Sequence, residues 1–93
     1  MVVTILTYKK EPVEVMKHLA AHQEFLDRNY QLGKFITSGP QIPRTGGVIL
    51  MNTTKEEAAS IIEEDPFFQN EIADFEMIEF EPKAFDPRFE PFV

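Results

Sequence analysis

A chain of 93 residues can form one core, burying roughly 60% of its unfolded surface, and 43% hydrophobic residues with nine Phe are enough to build it. Without any Cys, disulfides, thiolate metal sites and a cysteine nucleophile are excluded, and a cytoplasmic protein is expected. The formal net charge of −7, with basic residues that form no stripe, argues against nucleic acid as a partner. No apolar run reaches the roughly 18 residues of a membrane span, and the opening MVVTILTYKKEP lacks the basic-then-hydrophobic layout of a signal, so neither membrane insertion nor secretion is expected.

The first element is VVTILTY (2–8), a β-branched strand. Pro12 opens a segment with apolar residues at 15, 19, 26 and 30, which is helical spacing, and Gly33 closes it. KFITSGP (34–40) reads as a second strand stopped at Gly39-Pro40. QIPRTGG is a loop, and GVILMN (47–52) is the third strand. Thr54 and Glu57 have capping-box spacing at the head of a second helix, with the Thr hydroxyl serving an orphan N–H and Glu57 reaching back. Asp65-Pro66 ends that helix and FFQN forms a short connection. IADFEMIEF (72–80) is the last strand.

This βαββαβ order predicts an α+β, ferredoxin-like domain over residues 1–83, with one antiparallel sheet. Two helices cover one face of such a sheet, yet its strands are apolar on both: Val3 and Ile5 against Val2 and Leu6, Val48 and Leu50 against Ile49 and Met51, Phe75 and Met77 against Ile78 and Phe80. The surplus face predicts a homodimer joined sheet to sheet, with Ile49 and Met51 among the residues expected to face the partner. The tail, residues 84–93, has two prolines that forbid a regular helix, and its Phe85, Phe89 and Phe92 predict docking on the domain or on the partner.

The two histidines, His18 and His22, stand one helical turn apart. On the stripe 15, 19, 22, 26, His22 occupies a place where an apolar residue is expected, facing the sheet, and His18 lies nearer its edge. A histidine there is more often a packed core residue than a reactive one. An i, i+4 pair also suits zinc, but no helical Glu in HExxH fashion and no third ligand accompany it, so no metal and no cofactor is expected. Taken singly, Asp65 reads as a turn residue, Arg44 as a solvated loop charge, and Glu63 with Glu64 as a solvated helix end.

His22, Gly39-Pro40 seventeen residues later, the strand GGVILMN, Asp65-Pro66-Phe67 and the closing EFEPK together resemble the YciI-like (YCII-related) family along nearly the whole chain. The resemblance implies a small dimeric α+β barrel in which a helix-1 histidine and the Asp of the DP turn form an acid–base pair, here His22 and Asp65. SGPQIPRTGG resembles the loop of one subgroup, which makes Ser38, Gly39, Pro40 and Arg44 the implied substrate-binding residues. Many relatives carry Arg three residues before the histidine. Here that position is Leu19, so any contact to an anionic group passes to Arg44. A resemblance to a branch acting on chlorinated hydroxyquinols implies a reaction type.

A carboxylate bonded to one imidazole nitrogen sets its tautomer and leaves the other nitrogen to move a proton near neutral pH. That chemistry suits isomerisation, elimination or dehalogenation of a small oxygenated or aromatic molecule in a pocket walled by Phe and Met. Two other readings stand beside it: a non-catalytic small-ligand or accessory protein, and, by fold analogy, a dimeric-barrel monooxygenase that binds haem or oxidises quinol-like substrates.

Overall fold

In the computed structural model, which describes residues 1–93, the chain runs β1 (Val2–Tyr8), α1 (Pro12–Gln31), β2 (Phe35–Pro40), β3 (Gly46–Met51), α2 (Lys55–Ile62), α3 (Pro66–Gln69) and β4 (Ala73–Glu79). A 3₁₀ turn over Pro87–Phe92 follows. The strands form one antiparallel sheet in the order β2-β3-β1-β4, so the chain has the expected ferredoxin-like α+β architecture. No helix is long and apolar enough to cross a membrane.

Local chemistry accounts for most helix ends. Pro12 supplies a preset φ at the first position of α1. At the other end Gly33 takes φ 73°, and Gly33 N–H and Lys34 N–H donate to the Tyr30 and Asn29 carbonyls, which closes the helix by a Schellman pattern. The Thr54 hydroxyl accepts from Glu57 N–H at the head of α2. Glu57 itself does not reach back as the capping box requires; its carboxylate meets Lys34 Nζ at 2.8 Å instead. The Asp-Pro turn is likewise more than a stop. α2 already ends at Ile62, and Asp65 starts a separate short helix by accepting Phe67 N–H on its own side chain.

The core lies between the helices and the sheet. Phe25 and Phe67 are its largest members, and they pack with Leu6, Ile49, Met51 and Ile62. The buried line of α1 is Val15, His22, Phe25 and Asn29 rather than the 15-19-22-26 stripe; Leu19 and Leu26 flank it and are only partly buried. A helix of 3.6 residues per turn drifts slowly around its axis, so two neighbouring apolar stripes are both compatible with such a sequence.

Register decides which sheet residues are inside. Val2, Thr4 and Leu6 of β1 are buried, and Thr4 stands opposite Ile49 while Val2 stands opposite Met51. Ile49 and Met51, expected to face a partner, therefore face the helices. The apolar residues of the opposite face are Val3, Ile5, Val48, Leu50 and Ile78, paired across β3-β1-β4. Ile78 is 49% exposed and Phe80, just beyond β4, 43%. In the tail, Phe89 and Phe92 touch each other with centroids 5.2 Å apart, Phe85 and Phe92 are exposed, and Arg88 forms a forked pair with Asp86 that holds its carboxyl below the usual carboxylate range.

Truncating the core and the tail should therefore differ sharply. Phe25→Ala is expected to cost about 3–5 kcal/mol in urea denaturation, because it opens a cavity among side chains that cannot collapse. Phe92→Ala, at an exposed site, should leave the chain's unfolding midpoint within error.

Candidate functional site

His22 reaches the sheet side of α1 from mid-helix, and the carboxylate of Asp65 meets it from the head of α3. His22 Nδ1 lies 2.8 Å from Asp65 Oδ1, and the same oxygen accepts Phe67 N–H at 2.9 Å. The His22 side chain is 11% exposed and that of Asp65 fully buried. An ionised carboxylate only accepts, so the hydrogen-bond pattern assigns the imidazole proton to Nδ1 and leaves a lone pair on Nε2. Asp65 Oδ2 is buried without a protein partner.

Aromatic packing holds the imidazole in this plane. The Phe67 ring is stacked on it with centroids 3.9 Å apart and 4° between planes, and Phe25 lies beyond at 6.3 Å. Tyr8 meets Phe67 edge-on at 6.0 Å. Phe67 thus serves twice, its backbone N–H on Asp65 and its ring on His22, so the DP turn sets both the position and the plane of the histidine.

Beside His22 opens a cavity of about 190 Å³ between α1 and the β2-β3-β1 part of the sheet. Ser38, Gly39, Pro40 and Arg44, four residues singled out from sequence, line it together with His22; Asp65 stands behind the histidine and His18 is not at the cavity. Leu19 also lines it, so the position where many relatives carry Arg faces the same space as Arg44. Arg44 is paired with none of the chain's carboxylates.

The Arg44 loop is tied to the end of β1. Tyr8 N–H donates to Thr45 O, Gln41 N–H to Gly46 O, and Gln41 Nε2 to Leu6 O. Gly46 is needed for this closure, since a Cβ on it would lie 1.7 Å from the Leu6 carbonyl oxygen. The sequence reading missed Tyr8, Gln23 and Leu26, which line the cavity, and Phe67 beneath His22. Strand alternation from Leu6 would have found Tyr8; nothing local marks Phe67 as the residue under the imidazole.

Residues 1–81 match the YCII-related domain. The chain belongs to that family. Among solved structures it is similar to the 5-chloro-2-hydroxyhydroquinone dehydrochlorinase TftG of Burkholderia phenoliruptrix AC1100, solved in complex with 2,5-dihydroxybenzoquinone. The match has a TM-score of 0.70 at 19% identity and covers 87% of this chain and 94% of that one. At that identity the likeness is one of fold. No curated protein matches the chain.

Removal of the Asp65 side chain should be costly for two reasons at once. Asp65→Ala deletes the cap on Phe67 N–H and strips a buried imidazole N–H of its acceptor, so a loss of about 2–4 kcal/mol is expected in chemical denaturation. In wild-type protein a slowly exchanging Nδ1–H resonance of His22 should be visible by NMR and absent from Asp65→Ala. A histidine labelled predominantly at Nε2–H would contradict the assigned tautomer.

Proposed function

We propose that this YCII-family protein is a cofactor-independent acid–base enzyme acting on a small hydroxylated ring compound, with elimination of a halide or related leaving group as the reaction. The observation that carries the reading is the His22–Asp65 bond at 2.8 Å beside an open cavity. Asp65 holds the tautomer, and Nε2 is left to take a proton and give it back. A cavity of roughly 150 Å³ accepts a benzene ring, so about 190 Å³ suits one ring with polar substituents.

In a halogenated hydroquinone the balance is simple. His22 takes a proton from a ring hydroxyl and returns it to the halogen-bearing carbon, giving a ketone tautomer. Loss of the second hydroxyl proton and of halide then yields the quinone, with HX as the other product. Arg44, free of internal ion pairs, binds the anionic or carbonyl oxygen as it develops, in place of an Arg at Leu19. Ser38, Gly39 and Pro40 form the facing wall. TftG, which shares the fold, is named a dehydrochlorinase and was solved with a dihydroxyquinone, and that supports the substrate class.

The apolar face bearing Val3, Ile5, Val48, Leu50 and Ile78 belongs, in this reading, to a homodimer joined sheet to sheet, with the Phe-rich tail docked on the domain or across onto the second copy. The protein acts in the cytoplasm, in keeping with its lack of Cys.

Chloride release from chlorohydroquinones tests the chemistry. His22→Gln should lower turnover by roughly two to four orders of magnitude at unchanged substrate affinity, whereas His18→Gln should match wild type and Arg44→Gln should chiefly raise KM. If His22→Gln weakens binding and leaves turnover of bound substrate intact, the site binds without catalysing. For the assembly, sedimentation should give twice the chain mass, and Leu50→Glu, placed on the open face, should yield a folded monomer. A wild-type monomer at micromolar concentration would refute the sheet-to-sheet dimer.

A further inference from the structure

At the cavity wall facing α1, one side-chain hydrogen bond is left unexplained by the His22–Asp65 pair. The Tyr30 hydroxyl, in the last turn of α1, makes a short contact with Ser38 Oγ on β2. Ser38 lines the cavity and Tyr30 stands behind it. The contact exists because β2 is irregular. Phe35 stands opposite Met51, but the register slips before Thr37, so Ser38 comes opposite Ile49 and faces the helices as Phe35 does. In an unbroken strand two residues three apart point to opposite faces, and Ser38 would be turned away from the cavity. Phe35 meets the Tyr30 ring edge-on at 6.0 Å and steadies it.

Donor and acceptor in this pair follow from chemistry. The contact by itself admits either hydroxyl as donor; a phenol is more acidic than an aliphatic alcohol and its oxygen lone pairs are partly drawn into the ring, which favours the arrangement in which Tyr donates and Ser accepts. Ser38 Oγ is also the only protein hydrogen-bond partner of the Tyr30 hydroxyl. The hydrogen of Ser38 then has no acceptor within the protein, and the residue carrying it forms part of the cavity wall. We infer that Tyr30 is a positioning residue that makes Ser38 a hydrogen-bond donor into the cavity, which selects ring compounds carrying an acceptor oxygen, a carbonyl or phenolate, at the β2 wall.

The inference rests on the ring-binding reading above and adds a specificity to it. A ligand with a methyl group at that place leaves the Ser38 hydrogen without an acceptor, and sites built to hydrogen-bond a substrate reject such analogues.

A matched pair of probes isolates the effect: 4-hydroxybenzaldehyde, with a carbonyl oxygen, and 4-methylphenol, of similar size without one. In NMR titrations followed at the Leu19, Leu26 and Ile49 methyls, wild-type protein should bind the aldehyde roughly three- to tenfold more tightly. Tyr30→Phe should reduce that ratio toward one, as should Ser38→Ala, while Ser38→Thr, which keeps the hydroxyl, should retain it. A merely structural role for Tyr30 would weaken both probes alike and leave the ratio unchanged. An unchanged ratio in Tyr30→Phe, in a variant whose melting curve shows it folded, overturns this inference and spares the ring-binding reading. If neither probe shifts the cavity methyls of wild-type protein, the ring-binding reading falls and takes this inference with it.

Discussion

A single carboxylate oxygen organises this molecule. Asp65 Oδ1 accepts the backbone N–H of Phe67 and the imidazole of His22, so the start of α3 and the middle of α1 are joined through one buried atom. Burying a charge is unfavourable unless hydrogen bonds replace water, and two donors on one oxygen supply part of that replacement. The other oxygen, Oδ2, has no such donor, so Asp65 is a residue whose structural return is incomplete. Phe67 completes the arrangement by stacking on the ring that its own backbone helps to anchor.

The facing wall depends on two departures from regular strand geometry. The slip in β2 turns Ser38 toward the helices, and Gly46 lets the Arg44 loop lie against the carbonyl of Leu6. Each is a backbone event of one residue, and each moves a polar side chain into a space whose apolar wall includes Leu6, Leu19, Leu26 and Ile49. The resulting cavity is largely apolar with a few converging polar groups, the usual character of small-molecule sites. It also brings the cationic Arg44 and the hydroxyl of Ser38 into one cavity of a protein whose formal net charge is −7.

The sheet divides labour between its faces. Thr4, Ile49 and Met51 seal the core, and the Thr4 hydroxyl is satisfied by the Met51 sulfur at 3.0 Å, so a polar residue sits at the centre of the buried face at little cost. Val3, Ile5, Val48 and Leu50 occupy the other face, where a lone domain gains little from them. An apolar face of this extent favours association, and a sheet-to-sheet partner would leave both cavities on the outer, helix-bearing sides.

The four strands in order, the two long helices, both ends of α1, the head of α2 and the family were legible in the chain because they depend on neighbours: Pro12 and Gly33 bound α1, Thr54 caps α2, and Gly39-Pro40 and Asp65-Pro66 stand at countable distances from His22. His22 and Asp65 could be paired by resemblance, and His22 placed on the inner side of α1 by periodicity. Which face of each strand is inside was not legible, since alternation with period two is symmetric when both sets are apolar, and Ile49 and Met51 were assigned to the wrong side for that reason. The DP segment looked like a stop followed by a linker, because a four-residue helix has too few positions to show a period. Tyr30 and Ser38 meet only through a slip in β2 that leaves no mark on the sequence, and the stacking of Phe67 on His22 joins residues 45 positions apart. Local propensity can specify an element; only packing between elements specifies which side chains share a wall.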